Sequence, residues 1–566
     1  MSRIGSRAVA AGVAWTFAVA VIASYTLGWL GLSLMPGVVA VVAGAAGLWA
    51  MVRERGYQVE VGHASAPDDP AAPLWAWAAV VIGVGAWLVA SSWPQFLPPG
   101  GGSDLTHHLA LVDVLARTGH LVDGDAMGGA LGEMAHYTPG LHLLVVLLGS
   151  LWRVDAWRAA HPLLIATVAL KAGFVFLIAH RGLAPARGRL PLAAAAVGLV
   201  LFVPRVYSLG GFLQSGYLAQ VAAELFVVAG WWALMEWRAA PSMTRAALVG
   251  ACGAATFLVW PIWIGPLILA SGIVVLWSAD LPIAARLRAL AMATGPVAVV
   301  AALHLSRHAA WLRMAGTSGA VPAFVPDAAW WVLVALAVVG APTWWGGRSW
   351  GRPWGAHGST PGARVTLWFV AALALQAGAL VAVARLRGAG TPYMAVKMIY
   401  LAAYPLAVLA AAGLGRVLEA WSDRAGAVAH WAAATAVCVT AARLAAGFAI
   451  PAPIVSPDLY AAGLWARANL APACVEYVVA SGDTAYWLHL AVLGRPRADE
   501  RTAALDRYSV NAALGRWIDG TSAPYSVADA ALLPAAVRDT STVVHATGRA
   551  VVIRRRPRPD DPRCTP

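Results

Sequence analysis

Apolar runs of roughly twenty residues, each long enough to span a hydrocarbon core of about 30 Å, recur in this chain from Arg7 to Ile450. That recurrence decides the class. With hydrophobic residues at 60% and charged residues at 12% of 566, and a mean hydropathy of +0.68, most of the chain has too little polar surface to face water. The expected fold is mainly α, a polytopic transmembrane helical bundle. A net charge of +13 would suit nucleic acid, but the arginines sit in short clusters between apolar runs, as cytoplasmic loops do under the positive-inside rule. Membrane lipids are therefore expected as partners, and nucleic acid is not.

The same clusters set a topology. With Arg3 and Arg7 inside, spans near 8–30 and 36–52 return the chain to Arg53, Glu54 and Arg55, also inside. The start has the charge order of a signal peptide, but its apolar stretch is long and leads straight into a second run, so a retained first span is expected. Residues 1–73 thus make two N-terminal transmembrane helices and a cytoplasmic linker. A span near 74–92 emerges into a long external loop, 93–138. Clusters at Arg181/Arg187/Arg189, Arg238/Arg245, Arg286/Arg288, Arg348/Arg352/Arg364 and Arg416/Arg424 fit cytoplasmic loops between the later spans, and put 204–216, 306–327 and 385–396 outside. Two apolar pieces lie between 139 and 180, where loop parity permits one net crossing. The first, 139–151, is too short for a full span and is expected to be interfacial or re-entrant. About thirteen crossings result, which leaves the tail outside.

Residues 451–566 are different material. Charges are interspersed, and Thr542–His545 and Ala550–Ile553 alternate like strands, so a small external α/β domain is expected, with a disordered end from Arg554. Cys252, Cys438, Cys474 and Cys564 show no metal-ligand spacing. Cys474 and Cys564 leave open a disulfide or two free thiols.

Chemistry-bearing residues concentrate in the first external loop. Gly100-Gly101-Gly102-Ser103-Asp104-Leu105-Thr106-His107-His108 follows a span directly. Ser103 or Asp104 can cap a helix there, and helical spacing would put Asp104, His107 and His108 on one face. A carboxylate so placed can take a proton from a hydroxyl, while an imidazole can bind phosphate oxygen or ligate a divalent cation. The competing account is a simple cap with solvated histidines. The loop also carries Asp123, Asp125, Glu133 and His136 before Tyr137-Thr138-Pro139-Gly140. Far along the chain but on the same side lie Arg385, Arg387, Tyr393 and Lys397, cations and a tyrosine suited to a phosphate headgroup. Snorkelling to lipid is the alternative for the arginines. Gln220 and Glu224 offer hydrogen bonds to sugar hydroxyls or to a neighbouring helix. Trp260, Trp263, Trp311, Trp330 and Trp331 suit an aromatic belt or stacking on a ligand.

A span, an external loop opening with Asp104, Tyr137-Thr138-Pro139-Gly140 at the next apolar piece, many further spans and an external C-terminal domain resemble the GT-C superfamily of glycosyltransferases across residues 74–450. The order Asp104-Leu105-Thr106-His107, Tyr137-Thr138-Pro139-Gly140, Ala156-Trp157-Arg158-Ala159-Ala160 is similar to the actinobacterial arabinofuranosyltransferases. The resemblance implies a multi-pass enzyme of a bacterial plasma membrane. It implies a polyprenyl-phosphate sugar as donor, a glycan or lipid as acceptor, and Asp104 as the catalytic carboxylate. Many members pair an Asp with a Glu; a single Asp here leaves a divalent cation an open cofactor. The substrate-binding set expected around Asp104 is His107, His108, Glu133, His136, Tyr137, Arg385, Arg387, Tyr393 and Lys397. The rival expectation is a transporter or flippase for a lipid-linked precursor. It is disfavoured because polar residues favour the outer boundary, whereas transporters place theirs near the midplane.

Overall fold

The computed structural model describes residues 5–62, 72–93, 103–122, 131–183, 188–203, 217–309, 312, 328–345, 363–421, 427–446, 453–471, 475–480, 484–485, 488, 524–533 and 535–554. Its main body is helical: α1 (Ser6–Trp29), α2 (Pro36–Gly62), α3 (Leu74–Ser92), α4 (Ser103–Thr118), α5 (Gly140–Trp152), α6 (Ala160–Gly182), α7 (Arg189–Phe202), α8 (Leu218–Ala239), α9 (Met243–Val259), α10 (Ile264–Leu276), α11 (Ile283–Arg307), α12 (Ala328–Trp345), α13 (Ala363–Leu386), α14 (Tyr393–Trp421) and α15 (Ala427–Ala446). Among the described residues, 8 helices are long and apolar enough to cross a membrane, and shorter apolar helices accompany them. The strict length criterion thus yields fewer spans than the expected thirteen, and the difference falls on the shorter helices.

One end of the bundle is lined with arginine. Arg7 of α1 and Arg181 of α6 both reach Glu236 of α8, at 3.3 and 3.7 Å. Arg245, one turn into α9, makes a forked pair with Glu54 of α2 and also donates to the carbonyls of Glu236 and Ala240. These are residues of the clusters assigned to one side, and folding brings them together with their carboxylates. Buried charge is tolerated here because each guanidinium meets a carboxylate or carbonyl oxygen. Ser6 Oγ donates to the Ala72 carbonyl (2.6 Å), which fixes the start of α3 at this end too.

The opposite end collects the other termini. Ser92, closing α3, lies 2.8 Å from His161 at the start of α6. Tyr25 near the end of α1 meets His304 near the end of α11 at 3.2 Å. Helix α9 therefore runs from Arg245 at the arginine end to Val259 at this one, whose carbonyl accepts from Thr138 Oγ1.

That contact bears on the parity problem. Thr138 precedes α5 and touches the Val259 end of α9, while the segment after α5 leads to His161, beside Ser92. Both termini of α5 sit at the same end of the bundle. Its 13 residues, about 20 Å of helix, fall short of a full span, in keeping with an interfacial or re-entrant piece.

Close approach is built where two helices carry glycine. A Cβ on Gly413 of α14 would clash with the Leu336 carbonyl of α12, and one on Gly340 of α12 with the Leu409 carbonyl of α14. Small residues let backbones approach and give membrane helices their packing energy. Gly413→Ala is expected to cost about 1–3 kcal/mol by overpacking, read as a lower thermal midpoint of the detergent-purified protein.

The C-terminal unit is α/β. Helix α16 (Pro457–Asn469) opens with the Ser456 hydroxyl accepting from Leu459 N and Pro457 in the first turn, a standard start signal. Strands β1 (Val475–Val478), β2 (Tyr525–Asp529), β3 (Thr542–Thr547) and β4 (Ala550–Arg554) form one sheet in the order β1-β2-β4-β3, with β1–β2 parallel and the rest antiparallel. The expected strands are the β3–β4 hairpin. Its turn uses Gly548 at φ +55, and Arg549 N donates to Asp458 of α16 at 2.9 Å. Helix α17 (Ala535–Thr540) precedes the hairpin. Cys474, Cys564 and the stretch beyond Arg554 lie outside the described residues.

Candidate active site

Helix α4 forms where the loop sequence turns amphipathic: Leu105, Leu109, Val112 and Leu115 bury one stripe. Arg117 and Asp113 pair at i,i+4 (2.6 Å), and the helix stops at Gly119, φ +68. Burial pushes the Asp113 carboxyl above the usual carboxylate range, with Arg117 opposing the shift. Asp104 lies in the first turn of α4; its side chain, like that of Glu133, is outside the described residues.

One turn on, His108 is buried. Its Nδ1 lies 2.9 Å from His142 Nε2 of α5, one ring donating and the other accepting, with the rings stacked at 5.1 Å. Tyr137 stands edge-on to His108 at 5.3 Å and 5.8 Å from Trp260. Trp260 in turn forms one wall around Lys397. The ammonium lies 4.9 Å from the Trp260 ring centroid, 4.2 Å from Tyr393 and 5.3 Å from Tyr217. Lys397 is only 3% exposed. Three aromatic faces stabilise a desolvated cation, so α14 can carry a lysine a turn inside the bundle.

Folding therefore joins two regions far apart in sequence: His108 and Tyr137 from the loop, Lys397 and Tyr393 from α14. Other expected members lie elsewhere. Arg385 and Arg387 are exposed on the turn from α13 into α14, which is closed by Gly388 at φ +68; that position suits lipid headgroups as well as a substrate. His107 is half-buried. His136, next to Tyr137, packs against His308 at 5.8 Å, which stacks on His304 at 4.8 Å. No group of three or more His, Cys, Asp or Glu among the described residues is arranged to hold a metal.

Some partners carried no local signal. Trp260 read equally as belt, and His142 lay inside an apolar run. Deeper in the bundle, Lys171, near the middle of α6 and 2% exposed, pairs with Glu224 of α8, and the Tyr404 hydroxyl of α14 donates to the same carboxylate. This corrects the expectation that polar groups keep to the outer boundary. A lone lysine in an apolar run was the signal for it, since such a charge persists only with a partner. The account of Glu224 as a helix-to-helix hydrogen bond holds for one of its oxygens.

The C-terminal unit meets this end of the bundle. Tyr460 of α16 donates to Asp155 and accepts from Trp157 Nε1 at 2.8 Å. Burial and the Asp155 carboxylate both push the Tyr460 hydroxyl up from its ordinary pKa.

No protein-family model matches the chain, and no curated protein matches it. Among solved structures it is similar to the Archaeoglobus fulgidus oligosaccharyltransferase in the apo form, at 14% identity over 80% of this chain and 69% of that one, TM-score 0.45. It is also similar to the oligosaccharyltransferase AglB of Archaeoglobus fulgidus in complex with an inhibitory peptide and a dolichol-phosphate, at 15% identity over 81% of this chain and 69% of that one, TM-score 0.43.

Proposed function

We propose that this chain is a GT-C-type membrane glycosyltransferase that moves a sugar from a polyprenyl-phosphate donor to a cell-envelope glycan or lipid acceptor. One observation carries the proposal: the buried Lys397, in its aromatic box, is linked through Trp260 and Tyr137 to His108, one helical turn from Asp104. Asp104 takes the proton of the acceptor hydroxyl, whose oxygen attacks the anomeric carbon with inversion. The carbon–phosphate oxygen bond breaks, and the lipid phosphate leaves with the electron pair. Lys397 offsets its charge, with Arg385, Arg387 and His107 as further cationic or hydrogen-bonding groups. No covalent intermediate is needed, since the phosphate is already a competent leaving group and the protein supplies position and electrostatics. His108, Tyr137 and Tyr393 line the approach, and Glu133 and His136 are further proposed substrate contacts. Transfer of arabinofuranose from decaprenyl-phosphate arabinose is the narrower form, drawn from the loop motif.

The buried Lys171–Glu224 pair favours a second function, a flippase for a lipid-linked precursor, because intramembrane charges mark transport paths. Proteoliposomes supplied with labelled polyprenyl-phosphate sugars separate the two. Label appearing in an acceptor supports transfer; label moving between leaflets with the donor intact supports the flippase.

The positive-inside rule places the arginine-lined end in the cytoplasm and the Lys397 end, with the C-terminal unit, outside. In a background without the native cysteines, a membrane-impermeant thiol reagent applied to intact cells is expected to label Asn469→Cys on exposed α16 and to spare Asp280→Cys beside Arg238. The reverse pattern would invert the topology.

A further inference from the structure

Below Lys397 the bundle holds a polar column. On α14, Lys397, Tyr400 and Tyr404 follow at spacings that share one helix face, and all three are buried. On α8, Gln220 and Glu224 follow Tyr217 in the same way. The two helices meet at both levels: Lys397 against Tyr217 above, Tyr404 with Glu224 below.

Two acceptors in this column are unsatisfied. Gln220 Oε1 and Glu224 Oε1 have no hydrogen-bond partner among the described residues, although the side chains are 3% and 0% exposed. The other Glu224 oxygen is occupied by Lys171 and Tyr404. Buried acceptors are normally satisfied, so two of them one turn apart on α8, in a column that begins at Lys397, have the capacity to take hydrogen bonds from a ligand. Apolar residues would fill the same space at less cost.

Resting on the transferase proposed above, the structure assigns a sugar subsite: we propose that Gln220 and Glu224 each accept a hydrogen bond from one hydroxyl of the donor sugar whose phosphate lies against Lys397. The sugar class is neutral and polyhydroxylated, because an anionic sugar would meet the Glu224 carboxylate. Gln220 is then a specificity residue, selecting hydroxyl-bearing donors over deoxy ones.

The test is equilibrium binding of three kinds of labelled lipid to the purified full chain: polyprenyl phosphate, polyprenyl-phosphate pentose and its monodeoxy analogues. Gln220→Leu is expected to weaken the glycosylated lipid about tenfold or more and to leave polyprenyl phosphate unchanged, which also certifies the variant's fold. It is further expected to bind at least one deoxy analogue as well as the parent sugar. Equal losses for bare and glycosylated lipid, or no loss for either, overturn the subsite. Lys397→Gln addresses the transferase separately and should weaken both lipids; unchanged binding of polyprenyl phosphate there removes the phosphate role whatever Gln220 does. Failure of the unaltered protein to bind any of the three overturns both.

Discussion

An Asp104→Asn protein is expected to lose about 10²–10⁴-fold in transfer rate, the range that a positioned general base supplies, while binding its lipid donor undiminished. The substitution is chosen for what it preserves. Asparagine matches aspartate in size and shape, and Asp104 is one residue of a helix that starts at Ser103, so α4 keeps its first turn and His108 keeps its place beside His142 and Tyr137. What is removed is the capacity to accept a proton. If Asp104 only steadies the first turn of α4, turnover in a labelled polyprenyl-phosphate sugar assay will match the unaltered protein, and equality there ends the general-base assignment.

The second large effect concerns stability. Lys171→Met leaves the Glu224 carboxylate charged in the bundle interior with only the Tyr404 hydroxyl to offset it. Removing one partner of a buried pair typically costs about 3–5 kcal/mol, whereas neutralising both is far milder. The single variant should therefore show a marked drop in thermal midpoint, and Lys171→Met with Glu224→Gln should recover most of it, since Gln still accepts from Tyr404. A single variant as stable as its parent would mean that the pair contributes nothing to the bundle. The double variant also bears on the flippase, which would lose movement of label between leaflets even where stability returns.

Much of the architecture was legible because lipid makes local sequence decisive. Apolar length marked α3 at 74–92, the same limits that the structure shows. Arginine placement grouped Arg7, Arg181 and Arg245 on one side, where they share Glu236 and Glu54. The insufficient length of 139–151 matches the 13-residue helix that stands there. The site was legible in part. His108, Tyr137, Tyr393 and Lys397 converge as residue chemistry suggested, because titratable groups are costly in lipid and so stand out. What stayed hidden was partner choice. Nothing near Lys171 in the sequence points to Glu224, and nothing near His142 points to His108, since those pairings depend on which helix faces lie opposite. Trp260 shows the same limit, as a tryptophan at a helix end looks alike whether it faces lipid or a lysine.

The contacts on either side of α5 imply an order of assembly. Synthesis delivers α4 and α5 well before α9, whose last carbonyl holds Thr138, and before α16, whose Tyr460 receives Trp157 and Asp155. A helix of 13 residues has no stable berth of its own in a bilayer. The early segment must wait, shielded, for surfaces encoded hundreds of residues downstream, so the loop that bears Asp104 matures among the last parts of the newborn chain.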